Sequence, residues 1–167
     1  MKRTFTALLA AAALSAPALA TDPVALGEIA IGPELMEKGE DYGQRELDRL
    51  AGYMQDHLER QLADMLGDGG YTLDVTILDA MPNRPTMQQM AGTTALHMSS
   101  FSIGGAEVEA RLLSASGDVL ESYSYSWRSH SIRDVVGYAT WTDARRTFDR
   151  FARQIRTSLE ERAETGS

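Results

Sequence analysis

GAEVEARLLSASGDVLESYSYSW, running from Gly105 to Trp127, reads as one β-hairpin. Two alternating runs flank Ser114-Ala115-Ser116-Gly117-Asp118. That connection suits a type I turn with Gly117 in the left-handed region, which glycine enters without steric cost. Pairing Ser114 with Asp118 sets Arg111 opposite Glu121, Glu109 opposite Tyr123 and Glu107 opposite Tyr125. An opposite-charge cross-strand pair at Arg111–Glu121 supports this register. One face then carries Ala106, Val108, Ala110, Leu112 and Leu120 with Ser122, Ser124 and Ser126. The other carries Glu107, Glu109, Arg111, Glu121, Tyr123, Tyr125 and Trp127. The small apolar face suits a helix packed close upon it. The acidic, aromatic face is then expected to be partly wet and available for contact.

Upstream, residues 24–31 contain a short apolar run broken at Gly27 and ended by Gly32-Pro33, read as an edge strand. From about Glu40 to Leu66, Leu47, Leu50, Met54, Leu58, Leu62 and Met65 recur at three- and four-residue steps, the stripe of an amphipathic helix. Gly67, Gly69 and Gly70 end it. Residues 71–79 alternate Tyr71, Leu73, Val75 and Ile77 with Thr72, Asp74 and Thr76, as a strand with one buried side does. Residues 86–100 read as a long loop with a helical turn near Met87–Met90. A closing helix is expected from Thr140 as N-cap, with Asp143 in its first turn, to about Arg162. Its stripe is Ala144, Phe148, Phe151, Ala152, Ile155 and Leu159. The expected fold is α/β of the α+β type: a two-layer sandwich, mainly antiparallel, of three or four strands with two helices on one face.

The first twenty residues have Lys2 and Arg3, an apolar middle and Ala18-Leu19-Ala20, the pattern of a secretory signal peptide cut after Ala20. That apolar core is shorter than the ~20 residues a membrane span needs. The chain has no cysteine, so neither a lipid anchor on cysteine nor a disulfide is expected. Residues 21–167 then form a single domain, exported to the periplasm or secreted. With Lys2 and Arg3 removed, 24 acidic residues face 16 − 2 = 14 basic ones. Such a balance disfavours nucleic acid as a partner.

The motifs of chemistry are sparse. No GxSxG elbow, SxxK, HExxH or phosphate loop occurs, so an enzyme is not the expected reading and no cofactor is expected. Glu107 and Glu109 lie two apart on one strand, but an acid pair for glycoside hydrolysis needs a cleft rather than an open surface. Arg128, His130 and Arg133 could form a small anion pocket near a helix N-terminus. Met81, Met87, Met90, His97 and Met98 share the long loop, and thioether with imidazole suits Cu(I). Flexible methionines filling gaps under a loop account for the same pattern. The aromatic row Tyr123, Tyr125 and Trp127, with Glu107 and Glu109, is the expected binding surface.

With the helix, the strand, PNRPT at 82–86, IGGAEVEARLL at 103–113 and GDVLESYSYSW at 117–127, the chain resembles uncharacterised exported proteins of Gram-negative bacteria. In layout these look like the small α/β periplasmic modules of curli-secretion and penicillin-binding-protein-activator lipoproteins. The resemblance implies a non-enzymatic envelope component and transfers no site residues; a binding or assembly role with an envelope protein partner is the expected function. A small-ligand or Cu(I) binder using residues 81–98 is the alternative, and an enzyme of unknown class the remaining one. Self-association through an exposed edge strand is a further expectation.

Overall fold

Pro33 shapes the beginning of the described chain. Its ring cannot continue a ladder but suits the first position of a helix, so the strand Val24–Ile31 (β1) passes directly into the helix Pro33–Tyr42 (α1). The computed structural model describes residues 23–68 and 70–165; the expected leader peptide and its cleavage after Ala20 lie outside them. A kink at Gly43, φ +93°, separates α1 from the helix Gln44–Gln61 (α2). The expected single helix from Glu40 is therefore two, because Gly43 takes a backbone conformation that breaks the run. There follow β2 (Tyr71–Met81), α3 (Met87–Gly92), β3 (Gly105–Leu113), β4 (Val119–Arg128), a 3₁₀ turn at Ile132–Val135 and α4 (Thr142–Thr165). α3 replaces the expected isolated turn, and it carries a capping box between Thr86 and Gln89.

The sheet order is β1-β2-β3-β4, with β1 parallel to β2 and the other two pairings antiparallel. This is an α+β fold with an open mixed sheet. The inner face holds Leu73, Val75 and Ile77 of β2 and Ala106, Val108, Ala110 and Leu112 of β3, all buried. Over them lie Leu47, Leu50, Met54 and Leu58 of α2, and Phe148, Phe151, Ile155 and Leu159 of α4. Three- and four-residue spacing keeps each set on one side of its helix. Each such buried side chain stabilises by roughly 1.5–3 kcal/mol.

α4 starts at Thr142, two residues beyond the expected cap. The Thr142 hydroxyl accepts the Ala139 N–H, and Thr140 instead gives its carbonyl to the Asn83 N–H. The tail also continues the helix to Thr165, past the expected end at Arg162.

The hairpin turn is as read, with Gly117 at φ +88° and Ser114 N–H bonded to Asp118 C=O at 2.9 Å. The register beyond it is not. Leu113 faces Val119 but Leu112 faces Glu121, so Leu120 is an extra residue in β4. A one-residue offset sends every later side chain to the other face. Val108 thus pairs with Tyr125, Ala110 with Tyr123 and Ala106 with Trp127, whereas Glu107 and Glu109 pair with Ser126 and Ser124. Arg111 faces Ser122, and no cross-strand pair joins it to Glu121. The aromatic row lies on the helix side, and the serines share the open side with the acidic residues. Ala106 and Ala110 are small where Trp127 and Tyr123 are large, so the two strands fill one layer together.

Candidate functional site

The expected binding surface divides between two faces. Glu107 and Glu109 are exposed on the open side. Tyr123 is buried, its hydroxyl 3.4 Å from Ser158 Oγ on α4, and burial pushes the phenol up to about 12. Trp127 lies beneath Arg150 of α4, and Tyr125 packs against the core. No single patch of these five residues exists.

Nor is Arg128 free for an anion. Its Nη2 donates to Asp79 Oδ2 at 2.9 Å, and Lys38 Nζ of α1 donates to Oδ1 at 2.6 Å. One largely buried carboxylate is clamped by two cations, one from α1 and one from the end of β4. Burial, and then this carboxylate, raise the neighbouring Tyr42 phenol. His130 and Arg133 stand exposed on the following turn, where the Arg133 N–H donates to Ser131 Oγ. Among the methionines, Met87 on α3 and Met98 on the next turn are each 72% exposed, and His97 is exposed too. Met90 is half-buried. Met81 instead lines a cavity of about 220 Å³ with Tyr42, Arg84 and Phe101. That is below the ~300 Å³ at which small-molecule sites begin.

Residues 82–84 are tied down from beneath. Asn83 is fully buried, donating to Asp143 Oδ2 at 2.6 Å and accepting the Asp143 N–H at 2.9 Å. Ser129 Oγ donates to the same carboxylate oxygen. Arg84 holds the carbonyls of Tyr138 and Met98. Asn83, Ser129 and Asp143 join three chain segments at the start of α4, and their side-chain polar atoms are engaged with one another, with backbone or, at Asp143 Oδ1, with Arg146 at 3.5 Å. The arrangement is a structural joint.

A different site is open. β1 is the sheet's edge, and beside it runs a groove of about 1040 Å³ walled by α2 and closed at one end by residues 63–68. Val24 shows how the edge is oriented. Its N–H donates to Met65 C=O at 2.9 Å and its C=O accepts the Gly67 N–H at 3.1 Å, so both groups point away from β2. At the far end Gly32 N–H points the other way, to Ile77 C=O. Alternation along a parallel ladder, with the irregularity at Gly27–Glu28, leaves the N–H and C=O of Leu26, Ile29 and Ile31 directed outward. Only Val24 has its outward groups paired within the described residues. Gly27 lets Asp74 lie close over the edge strand, where its Oδ1 accepts the Glu28 N–H at 3.3 Å; a Cβ at 27 would lie 2.0 Å from that oxygen.

The helical wall is made by Asp48, Gly52, Gln55 and Glu59, one stripe of α2 at steps of four, three and four. Gly52 is exposed in mid-helix, and a Cβ built on it meets nothing within 4 Å. The fold itself does not require glycine there, although it costs about 1 kcal/mol against alanine. Its presence keeps the groove wide. The floor is apolar (Leu26, Ile29, Leu66) and the rim acidic (Asp48, Glu59, Asp68). The sequence reading found β1 and the helix stripe but not the space between them. Gly52 in an otherwise regular helix was the available signal.

The sequence matches no protein-family model, and no curated protein matches it. Similar folds occur among solved structures. A candidate lipoprotein from Caulobacter crescentus CB15 is 15% identical, with 70% of this chain and 84% of that one aligned at a TM-score of 0.42. A minor lipoprotein from Acinetobacter baumannii is 10% identical over 85% and 94%, also at 0.42. The N-terminal domain of Protein Y from Thermus thermophilus is 13% identical over 80% and 93%, at 0.34. Likeness at this level carries no functional argument. Among the described residues, no helix is long and apolar enough to cross a membrane.

Proposed function

We propose that this protein is a non-enzymatic binding module of the cell envelope, which takes an extended polypeptide segment as a fifth strand on β1. The observation that carries the reading is the outward row of backbone groups at Leu26, Ile29 and Ile31, unpaired among the described residues, of which the first two residues line a groove that Gly52 leaves open. Strand addition draws affinity from such main-chain groups and selectivity from the adjoining wall. Three residues offer six groups, each worth about 0.5–1.5 kcal/mol net. That is about 3–9 kcal/mol before the cost of ordering the guest, so the main-chain groups alone support only weak binding and the adjoining apolar floor must add to it. The leader-like N-terminus supports the envelope as the compartment. The absence of a nucleophile–base motif from the sequence supports binding over catalysis. The groove is also too open to enclose a small molecule, whose sites bury most of the ligand.

Selection of a random linear peptide library on the wild-type chain, counter-screened on Gly52→Leu, tests this reading. The leucine fills the groove and leaves the buried stripe of α2 untouched, so the variant keeps its fold. Peptides that bind the wild type but not Gly52→Leu are expected. Recovery of only binders indifferent to this substitution overturns the reading.

A further inference from the structure

We infer that the segment taken up along β1 is basic, an extended stretch with Lys or Arg alternating with apolar or Thr residues, and that it belongs to another protein rather than to a second copy of this chain. The inference rests on the groove being the docking site, and it names the occupant. The groove's only ionised side chains are Asp48, Glu59 and Asp68, and no Lys or Arg lines it. Among the described residues none of the three is in an ion pair: Asp48 accepts a hydrogen bond from Gln44 and Glu59 one from Gln55. Two carboxylates outside the groove have taken cationic partners, whereas those on its rim have not. Asp64, at 64% side-chain exposure, holds Arg156 at 2.6 Å, and Asp149 holds Arg153 at 2.6 Å. The rim is thus a set of carboxylates left unneutralised around an unpaired strand edge.

A guest strand on β1 puts alternate side chains on opposite faces. One set meets the apolar floor at Leu26, Ile29 and Leu66, and the backbone lies against the space over Gly52. Cationic side chains on the other set, or at the ends of the guest, reach Asp48, Glu59 and Asp68. Long Lys and Arg stems suit this geometry, since they cover apolar surface while their charged ends reach the rim. The same charges disfavour self-pairing. Two copies joined edge to edge at β1 bring two acidic rims together, with Glu28 of each strand exposed between them. Like charges placed across an interface are a device against the wrong partner.

The experiment uses three fluorescein-labelled peptides, Lys-Val-Lys-Val-Thr-Val-Lys, Thr-Val-Thr-Val-Thr-Val-Thr and Glu-Val-Glu-Val-Thr-Val-Glu, with anisotropy read on the full chain. The basic peptide is expected to bind at least about tenfold more tightly than the neutral one. That advantage should shrink as salt rises from 0.05 to 0.5 M, because screening shortens the reach of exposed charges. It should also be lost in the triple variant Asp48→Asn, Glu59→Gln, Asp68→Asn, and all binding should be lost in Gly52→Leu. Equal or tighter binding of the neutral or acidic peptide, still abolished by Gly52→Leu, overturns the basic assignment while the groove stands as the docking site. Binding of the basic peptide that survives Gly52→Leu overturns both. A concentration-dependent dimer in sedimentation that Gly52→Leu dissociates assigns the groove to a second copy and overturns the inference. No binding by any of the three, where the peptide library yields groove-dependent ligands lacking Lys and Arg, overturns it too.

Discussion

The guanidinium carbon of Arg150 lies 4.5 Å from the centroid of the Trp127 indole ring, so α4 roofs the last aromatic of β4. The chain has only one other tryptophan, Trp141, which is buried and donates from Nε1 to Glu46 Oε2 at 2.7 Å. In a Trp141→Phe background, acrylamide quenching therefore reports Trp127 alone. Arg150→Ala is expected to raise the quenching constant and to lower stability by about 0.5–1 kcal/mol, the range for a partly exposed cation–π pair. Unchanged quenching places the indole outside this roof.

Asn83 is expected to be the most sensitive polar residue of the fold. Removing it leaves the Asp143 carboxylate, 0% exposed, without its 2.6 Å donor, and leaves a buried N–H without its acceptor. Asn83→Ala should cost about 3 kcal/mol, because one side of a buried, charged hydrogen-bonded pair is left behind. Arg146→Ala should cost less than about 1 kcal/mol, since that side chain is half exposed and reaches Asp143 only at 3.5 Å. Urea denaturation of both variants gives the order, and equal losses contradict it.

His57 makes stability depend on pH in a stated direction. Its Nδ1 lies 3.0 Å from Arg60 Nη2 and accepts from it, which puts the ring proton on Nε2, a buried atom with no partner among the described residues. Burial, and then Arg60, hold the imidazole below its ordinary 6.5; Asp149 and Asp56 oppose the shift and Arg145 adds to it. A lowered folded-state value means that the unfolded chain takes up the proton first. This site's contribution is fully present above pH 6.5 and is lost progressively as pH falls below that value. The loss levels off once the folded form also protonates. His57→Gln should flatten the fall in melting temperature below pH 6.5, and an unaltered slope would assign it to other groups.

Tyr123 sets the alkaline limit. Burial raises its phenol from 10.0 to about 12, with Ser158 opposing and Glu121 reinforcing the shift. A raised folded-state value means that the unfolded chain loses the proton first, so stability is intact below pH 10 and falls between 10 and about 12. Absorbance titration at about 295 nm should show late-ionising tyrosines, with one fewer in Tyr123→Phe, where the raised Tyr42 remains. The variant should also lose less stability across that window.

Periodicity places α2, α4, β2 and β3, because burial on one side leaves a repeat of 3.6 or 2 in the chain, and the turn residues at 114–118 place the hairpin bend. Three features left no such trace. Pro33 reads equally as the end of a strand and the start of a helix, and only the chain's direction after Ile31 decides. Gly43 interrupts a helical stripe that its neighbours continue. The groove beside β1 is a relation between elements distant in sequence, so no local pattern reports it. Arg128, expected in an anion pocket, is instead held by Asp79, which lies 49 residues away in the chain and is visible only in three dimensions.

Leu120 offers the most direct test of sidedness, since it is the extra residue that turns Tyr123, Tyr125 and Trp127 inward. It is itself 37% exposed, so Leu120→Ala should change stability by less than about 1 kcal/mol. Deleting it is a different perturbation. With the turn at Gly117 unchanged, loss of one residue sends the three aromatics to the open face and brings Ser122, Ser124 and Ser126 under α4. Each aromatic forfeits roughly 1.5–3 kcal/mol of burial, and the serine hydroxyls enter an apolar layer. Against a total stability of about 5–15 kcal/mol for a domain of this size, that is enough to abolish cooperative folding. The expected result is a chain with no thermal transition by near-ultraviolet circular dichroism. A deletion variant that melts like the wild type would mean that the turn, and not the bulge, sets which way the aromatics face.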